Sequence, residues 1–214
     1  MKKNIFFIIP TLESGGAQRT FLNILNHIDK SIFKCTLVLY SKKGEYLKNL
    51  NKDIDIINLN VSRSLFAIPK LALKLLIYRP EIVFSTIRYV NACTVISNLI
   101  TFKNSKVIIR ETNNHSAAGV KKNIKERIVS WSYRKANLVI SLSNGVKKDI
   151  IKRHKVSTSK VITIYNPVDI EFINKQKKEK IYEKILLEQL NKKKLKLVTV
   201  GHLKYQKGYD LLIK

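Results

Sequence analysis

The chain is poor in the residues that staple small or secreted folds together. Two cysteines, Cys35 and Cys93, are too few for a disulfide framework or a cysteine-only zinc site. Seven glycines and four prolines leave little material for long flexible linkers. No apolar run approaches the roughly 18 residues of a membrane-spanning helix. The opening MKKNIFFIIP has the charged start of a secretory leader, but its apolar run is short. ESGG follows it without a small-residue cleavage pattern. It therefore reads as a buried first strand, and the expected location is cytoplasmic. Hydrophobic residues at 45% and charged residues at 26% are a globular balance rather than a disordered one.

Acidic residues are scarce too. Fifteen Asp and Glu stand against 41 Lys and Arg, for a formal net charge of +26. The excess steepens along the chain, from 14 basic and 6 acidic groups in residues 1–100 to 27 and 9 in residues 101–214. Lysine supplies 33 of the cations and arginine only 8. Readers of nucleic acid often rely on the planar arginine fork, whereas lysine acts as a diffuse point charge. There is no C-x-x-C finger, no aromatic strand of the RNA-binding kind and no homeodomain-like helix. These absences argue against a nucleic-acid partner. Two readings of the charge remain: a surface that meets anionic lipid, or the compositional habit of a chain rich in Ile, Asn and Lys.

What is present is a regular alternation. Continuous apolar runs at 4–10, 34–40, 54–59, 81–86, 106–112, 137–143 and 160–169 read as buried strands, the last ending in a turn. Amphipathic segments lie between them at 17–28, 45–50, 65–79, 91–100, 121–136 and 144–154. Phe21, Leu22, Leu25 and Ile28 share one helical stripe, as do Ile124, Ile128 and Trp131. Pro69 stands near the start of its helix, and Asn144 suits a helix start. Short, branched, non-alternating strands joined by helices predict an α/β Rossmann-like parallel sheet flanked by helices, spanning 1–170. Ligands of such sheets bind beyond the carboxyl ends of the strands.

The rhythm breaks at 171–194, a lysine-rich connector predicted to hold one helix at about 179–191. A new apolar strand, LKLVTVG (195–201), and the opening of a helix follow. The chain reads as a first domain followed by the truncated start of a second Rossmann-like domain.

Candidate ligand-binding residues cluster at the predicted strand ends. Gly15 and Gly16, with Gln18 just beyond, permit a tight turn and close backbone approach to a ligand. The amides of the helix that follows favour phosphate or a sugar hydroxyl. The segment is neither G-x-G-x-x-G nor a P-loop, and no acidic residue marks a dinucleotide ribose site. After the fifth strand come Arg110, Glu111, Asn113 and His115. Glu111 or His115 suits accepting or orienting an acceptor hydroxyl proton; a solvated loop or a cap explains them equally simply. Ser143 reads as a helix cap or a ligand contact. Asn166 precedes Pro167 in a turn toward the second unit. His202, Lys207 and Gly208 repeat the strand, loop and helix-start pattern, with Lys207 as a candidate cation for a diphosphate. No histidine spacing suggests a metal site, and no carboxylate pair supports glycoside hydrolysis.

In order and spacing, PTLESGGAQR (10–19), SLSNGVKKDI (141–150), VITIYNPVD (161–169) and VGHLKYQKGYDLLI (200–213) resemble the retaining, nucleotide-sugar-dependent glycosyltransferases with two Rossmann-like domains, the GT-B fold of the family 4 type. The resemblance covers the acceptor-side domain and the opening of the donor-side domain. It implies transfer of a sugar, with retention, from a UDP- or GDP-sugar to a lipid-linked or surface-glycan hydroxyl. It implies no tightly bound cofactor, and a position on the inner face of the plasma membrane. The Gly15–Gly16 loop would approach the donor diphosphate or the transferred sugar, and Lys207 would hold the diphosphate. His202 stands where arginine is common. Glu111 and His115 both suit the place of a histidine after the fifth strand. The family's later donor-binding segment would lie beyond residue 214, so a missing C-terminal domain is an expected partner, and the activity of this fragment without it stays open. Two alternatives stay open: a non-catalytic membrane-associated or partner-binding module derived from such an enzyme, and an ordinary Rossmann cofactor enzyme, against which the 13–19 loop argues.

Overall fold

The computed structural model describes residues 2–102, 105–121, 123–178, 197, 199, 201 and 208–213. They fall into two units, Met1–Val168 and Asp169–Lys214. The first is built on seven parallel strands: β1 (Lys3–Ile9), β2 (Phe33–Leu39), β3 (Asp55–Asn58), β4 (Ile82–Thr86), β5 (Lys106–Glu111), β6 (Leu138–Ser141) and β7 (Val161–Thr163). Their spatial order is β3-β2-β1-β4-β5-β6-β7. The helices are α1 (Gly16–His27), α2 (Ser64–Tyr78), α3 (Arg88–Ile100), α4 (Ile124–Lys135) and α5 (Asn144–His154). This is the expected Rossmann-like α/β sheet, and it is consistent with the N-terminal domain of a GT-B enzyme.

β1 lies at the centre because its run KNIFFII has apolar side chains for both faces. Ile5, Phe7 and Ile9 pack with Phe21 and Leu25 of α1. Phe6 and Ile8 join Leu71 of α2, Val95 of α3 and Tyr133 of α4 on the other face. The split follows from connection handedness. The β1–β2 crossover runs toward one edge, whereas those from β3 onward run the opposite way. Right-handed connections therefore put α1 on one face and α2 to α5 on the other.

That asymmetry leaves part of the sheet half-covered. On the α1 side, Phe84, Ile108 and Leu138 lie side by side in register, as do Ile140 and Ile162. Phe84, Ile108, Leu138 and Ile140 are only half-buried, and Ile162 is exposed. Their neighbours in sequence, Val83, Val107, Val139 and Val161, face the α2–α5 layer and are buried.

Two helices depart from their sequence reading. On α4 the apolar stripe Ile124, Ile128 and Trp131 faces solvent, while Glu126, Val129, Ser132 and Tyr133 face inward. The inner positions are polar because α4 covers a polar network at the sheet's carboxyl edge rather than an oily layer. α2 buries Ala67, Leu71, Ala72 and Leu75, yet exposes Leu65, Phe66, Leu73, Leu76 and Ile77. The predicted helix at 45–50 is a 3-10 turn over Glu45–Asn49. The seventh strand stops at Thr163.

In the second unit, α6 (Ile170–Gln176) is capped by Asp169, which accepts from Phe172 N at 2.9 Å. A single helical turn, Tyr209–Leu212, follows Gly208, whose φ is 67°. The predicted connector helix at 179–191, His202 and Lys207 lie outside the described residues, as does most of the predicted strand 195–201. Among the described residues no helix is long and apolar enough to cross a membrane.

Candidate functional site

The strand order reverses between β1 and β4, so the crevice that this topology opens lies at their carboxyl ends. On one side is the loop after β1. Gly16 begins α1, and a β-carbon there would meet nothing within 4 Å, so the space above it is open. Gly15 is extended, and the Gln18 side chain folds back against it, 2.5 Å from where a β-carbon would sit. The first amides of α1 carry no side-chain cap, which leaves their donors facing the crevice. On the other side stands Ile87, between β4 and α3, at φ 77°. A β-branched residue in that region is strained, and such strain gathers at ligand sites.

The loop after β1 is braced by the loop after β2. Tyr40 N and Ser41 N both donate to Pro10 O at 3.0 Å, and Leu12 N donates to Lys43 O at 2.8 Å. Gly44 makes this possible. Its φ is 121°, and a β-carbon would lie 1.9 Å from the Leu12 carbonyl carbon. The braced loops wall a cavity of about 600 Å³ lined by Pro10, Thr11, Tyr40, Lys43, Asn60 and Ser64, among others. A larger hollow, about 790 Å³, lies among Glu81, Lys106, Asn137 and Lys160. It sits at the amino ends of the strands, away from the helix N-termini and the clustered polar groups, so the smaller cavity is the better substrate candidate.

After β5 the candidate residues are present but turned inward. Glu111 is 1% exposed and His115 3%. Glu111 Oε1 accepts from the backbone N–H of Thr112 and of Asn113, each at 2.9 Å. Its Oε2 accepts from the Tyr133 hydroxyl at 2.6 Å and lies 3.3 Å from His115 Nε2. Burial opposes ionisation of Glu111. The contacts from His115, Tyr133 and the Asn113 amide outweigh it and hold the carboxyl below its ordinary value. The Tyr133 hydroxyl is pushed well up, by burial first and by the Glu111 charge second. Asn91 Nδ2 donates to that hydroxyl at 3.3 Å and to Arg110 O at 2.9 Å, while Ser85 donates to Asn91 Oδ1 at 2.8 Å.

The network continues to His154. His115 Nδ1 is 3.0 Å from His154 Nε2, and His154 Nδ1 is 2.7 Å from Ser130 Oγ. Acceptor counting assigns the protons. An ionised Glu111 takes the Nε2 proton of His115, so His115 Nδ1 accepts from His154 Nε2–H, and His154 Nδ1 accepts from Ser130. Every donor and acceptor of this hydrogen-bond chain then has a partner. Burial, then the neighbouring His115, push His154 down to about 4. Asp149 Oδ2 accepts the backbone N–H of His115 at 2.8 Å and fixes the loop.

His115, Glu126 and His154 also bring donor atoms within 4.8 Å of one another. Glu126 already pairs with Arg88 at 3.1 Å and Arg153 at 3.4 Å. A cation there would have to displace two guanidinium groups and break the imidazole chain, so the donor set suits structure better than metal.

The remaining candidates also find partners. Arg110 donates to Thr86 Oγ1 at 3.2 Å and to Asn166 Oδ1, so two residues 56 positions apart join into one tie across β4, β5 and the segment after β7. Burial lowers the Arg110 pKa, partly opposed by Glu111. Ser143 caps α5, accepting from Val146 N at 3.3 Å. Asn113 is exposed, with its backbone N–H held by Glu111. Gly208 is described, beside a helix too short to argue from. Sequence reasoning missed Tyr133, Asn91, Asp149 and Gly44. A tyrosine on the polar face of a helix was the one available signal among them.

The model of Glycosyltransferase Family 4 matches residues 14–172. That is most of the chain, and the chain belongs to this family. A curated relative from Campylobacter jejuni, an N-acetylgalactosamine-N,N'-diacetylbacillosaminyl-diphospho-undecaprenol 4-alpha-N-acetylgalactosaminyltransferase, is 26% identical over 114 residues. The match spans 51% of this chain and 29% of that protein. Among solved structures, Anabaena Alr3699/HepE in complex with UDP and glucose superposes with a TM-score of 0.64 at 16% identity, covering 87% of this chain and 50% of that one. The lipopolysaccharide outer core galactosyltransferase WaaB gives 0.61 at 16%, covering 78% and 46%. A UDP-N-acetylglucosamine 2-epimerase from Rickettsia bellii gives 0.63 at 14%, covering 89% and 52%. The chain thus spans about half the length of these structures and less of the curated relative. The shared fold includes both transferases and epimerases.

Proposed function

We propose that this chain is the acceptor-side part of a glycosyltransferase that moves a sugar, with retention, from a UDP- or GDP-sugar to a hydroxyl of a lipid-linked or surface-glycan acceptor. One observation carries the reading: open space over Gly16 at the reversal point of the sheet, beside uncapped helix amides and a walled polar cavity. The α1 amides stabilise charge on the departing diphosphate or hold the transferred sugar. The cavity between Thr11 and Ser64 receives the acceptor. No resident metal or cofactor enters the reading. Lys207 is proposed as the cation for the donor diphosphate, with His202 and Gly208 as further donor contacts.

Glu111 and His115 act in this reading as positioning residues rather than as groups that touch the acceptor. Both are spent on internal hydrogen bonds, and what they shape is the backbone of residues 112–116. Asn113 is exposed beside Glu111 and is the better candidate for direct contact. Arg110 and Asn166 hold the floor beneath it.

The test is nucleotide release. The chain, completed with a donor-side domain, is incubated with UDP- and GDP-sugars, with and without a polyprenyl-diphosphate-linked acceptor. Acceptor-dependent release of UDP or GDP, with label moving to the acceptor, is expected. Epimerised free nucleotide sugar would replace this reading with an epimerase. Donor binding without turnover would favour the non-catalytic module.

A further inference from the structure

We propose that the hollow at the amino ends of the strands binds a small organic phosphate, at a second site about 20 Å along β1 from the crevice, at about 3.3 Å per residue. The inference stands apart from the sugar-transfer reading and uses none of its residues.

The hollow holds about 790 Å³, inside the range of about 300–1,000 Å³ that small-molecule sites occupy. Hydrogen bonds fix its wall. Asn98 and Ser105, both buried, clasp each other: Asn98 Nδ2 donates to Ser105 O at 3.0 Å, and Ser105 N donates to Asn98 Oδ1 at 3.2 Å. Ser105 Oγ donates to Pro80 O at 2.6 Å. Just before β6, Asn137 Oδ1 accepts from Val107 N at 2.8 Å, which leaves its amide N–H groups for a ligand. Ile82 and Leu99 are half-buried on the lining and offer apolar surface. A wall set before the ligand arrives lowers the cost of binding.

Charge identifies the ligand. The lining carries five cations, Lys3, Lys106, Arg134, Lys135 and Lys160, against one acid, Glu81, among its described residues. Two of the cations serve the fold. Arg134 Nη1 donates to His154 O at 3.0 Å, and Lys160 Nζ donates to the carbonyls of Arg134 and Ala136 at 3.2 Å each. These contacts satisfy helix-end carbonyls. Glu81 Oε1 accepts from Asn4 N at 3.3 Å. The side chains of Lys3, Lys106 and Lys135 make no ion pair or hydrogen bond among the described residues. They come from the start of β1, the start of β5 and the end of α4. Like charges gathered at one concavity raise its potential. A carboxylate brings one charge, whereas a phosphate ester brings about two and three acceptor oxygens, one for each free ammonium. A bare phosphate would leave Ile82, Leu99 and the Asn137 amide with nothing to touch, so the phosphate carries an organic body. A second copy of this chain, at +26, is repelled.

The test is titration calorimetry of this chain at low salt with orthophosphate, adenosine 5′-monophosphate, glucose 6-phosphate and glycerol 3-phosphate. At least one ester is expected to bind at one site per chain, about tenfold or more tighter than orthophosphate. That ester should shield Lys3, Lys106 and Lys135 from acetylation, read by mass spectrometry, and leave Lys48 and Lys52 reactive. Lys106→Gln with Lys135→Gln should weaken it about tenfold or more, while Lys48→Gln with Lys52→Gln, an equal loss of charge on exposed residues elsewhere, should not. If the first pair loses its circular-dichroism melt, Lys3→Gln with Lys106→Gln serves in its place. No ester above orthophosphate, equal weakening by both pairs of substitutions, or protection confined to other lysines would overturn the proposal. So would stronger protection of the three lysines by polyglutamate or by phosphatidylglycerol vesicles than by the free esters. Nucleotide release in the transfer assay bears on the proposed function alone, so either reading can fail without the other.

Discussion

Gly16 and Gly44 separate what a glycine does for a ligand from what it does for the chain. Gly16→Ala meets no atom within 4 Å, so the melting curve should stay within about 0.5 kcal/mol of the parent while donor turnover falls about tenfold or more. Gly44→Ala forces a β-carbon into the Leu12 backbone at positive φ. It should cost about 3 kcal/mol in urea unfolding. A functional loss at Gly16 matched by equal unfolding would return it to a structural role. His154 makes a second residue-level prediction. Its folded value of about 4 lies below the ordinary 6.5, so the unfolded chain binds the proton first as pH drops. The stability that this histidine lends is complete above about pH 6.5 and is lost as pH falls toward 4. The shift corresponds to about 3 kcal/mol. Urea midpoints at pH 7 and pH 5 should differ, and His154→Phe should flatten the difference. Tyr133→Phe removes one donor to Glu111 and should cost about 1–2 kcal/mol by the same measurement.

At the scale of elements, the strands were readable because buried parallel strands announce themselves as unbroken branched runs. IFFII, CTLVL and VFS need no partner information. Helix orientation was less readable. The Ile124–Ile128–Trp131 stripe has the periodicity of a core face, yet it faces water, because periodicity records an apolar side without naming what it meets. The inner face of α4 is polar for partners distant in sequence: Tyr133 finds Glu111 at a separation of 22, and His154 finds His115 at 39. Gly44 escaped notice for the same reason, since its obstruction is the backbone 32 residues earlier. Arg110 and Asn166 were each legible as polar strand-end residues, but their union was not. Ser143, legible as a cap, is one. Ser143→Ala should cost about 1 kcal/mol with donor KM unchanged; a raised KM at unchanged stability would give Ser143 a ligand instead.

For the whole molecule, the charge arithmetic was visible in composition, but its sorting was not. A count of 41 cations and 15 acids is silent on which face holds them. Only the fold shows that the right-handed crossovers gather α2 to α5 on one side and that Glu111, Glu126 and Asp149 are buried there, leaving the cations around them without those acids at the surface. Raising ionic strength should therefore weaken contacts that an anionic partner makes with these cations far more than it weakens the packed core. Phosphate-ester binding and thermal stability, measured together across a salt series, check this: the first should collapse while the second moves little.

The strip formed by Phe84, Ile108, Leu138, Ile140 and Ile162 has a practical outcome. A native protein ordinarily gives little signal with a dye such as anilinonaphthalene sulfonate, which lights up on oily surfaces. This one should brighten it while fully folded. Ile108→Thr together with Ile140→Thr should dim that glow, leave the melting temperature nearly in place, and make the purified material easier to keep in solution.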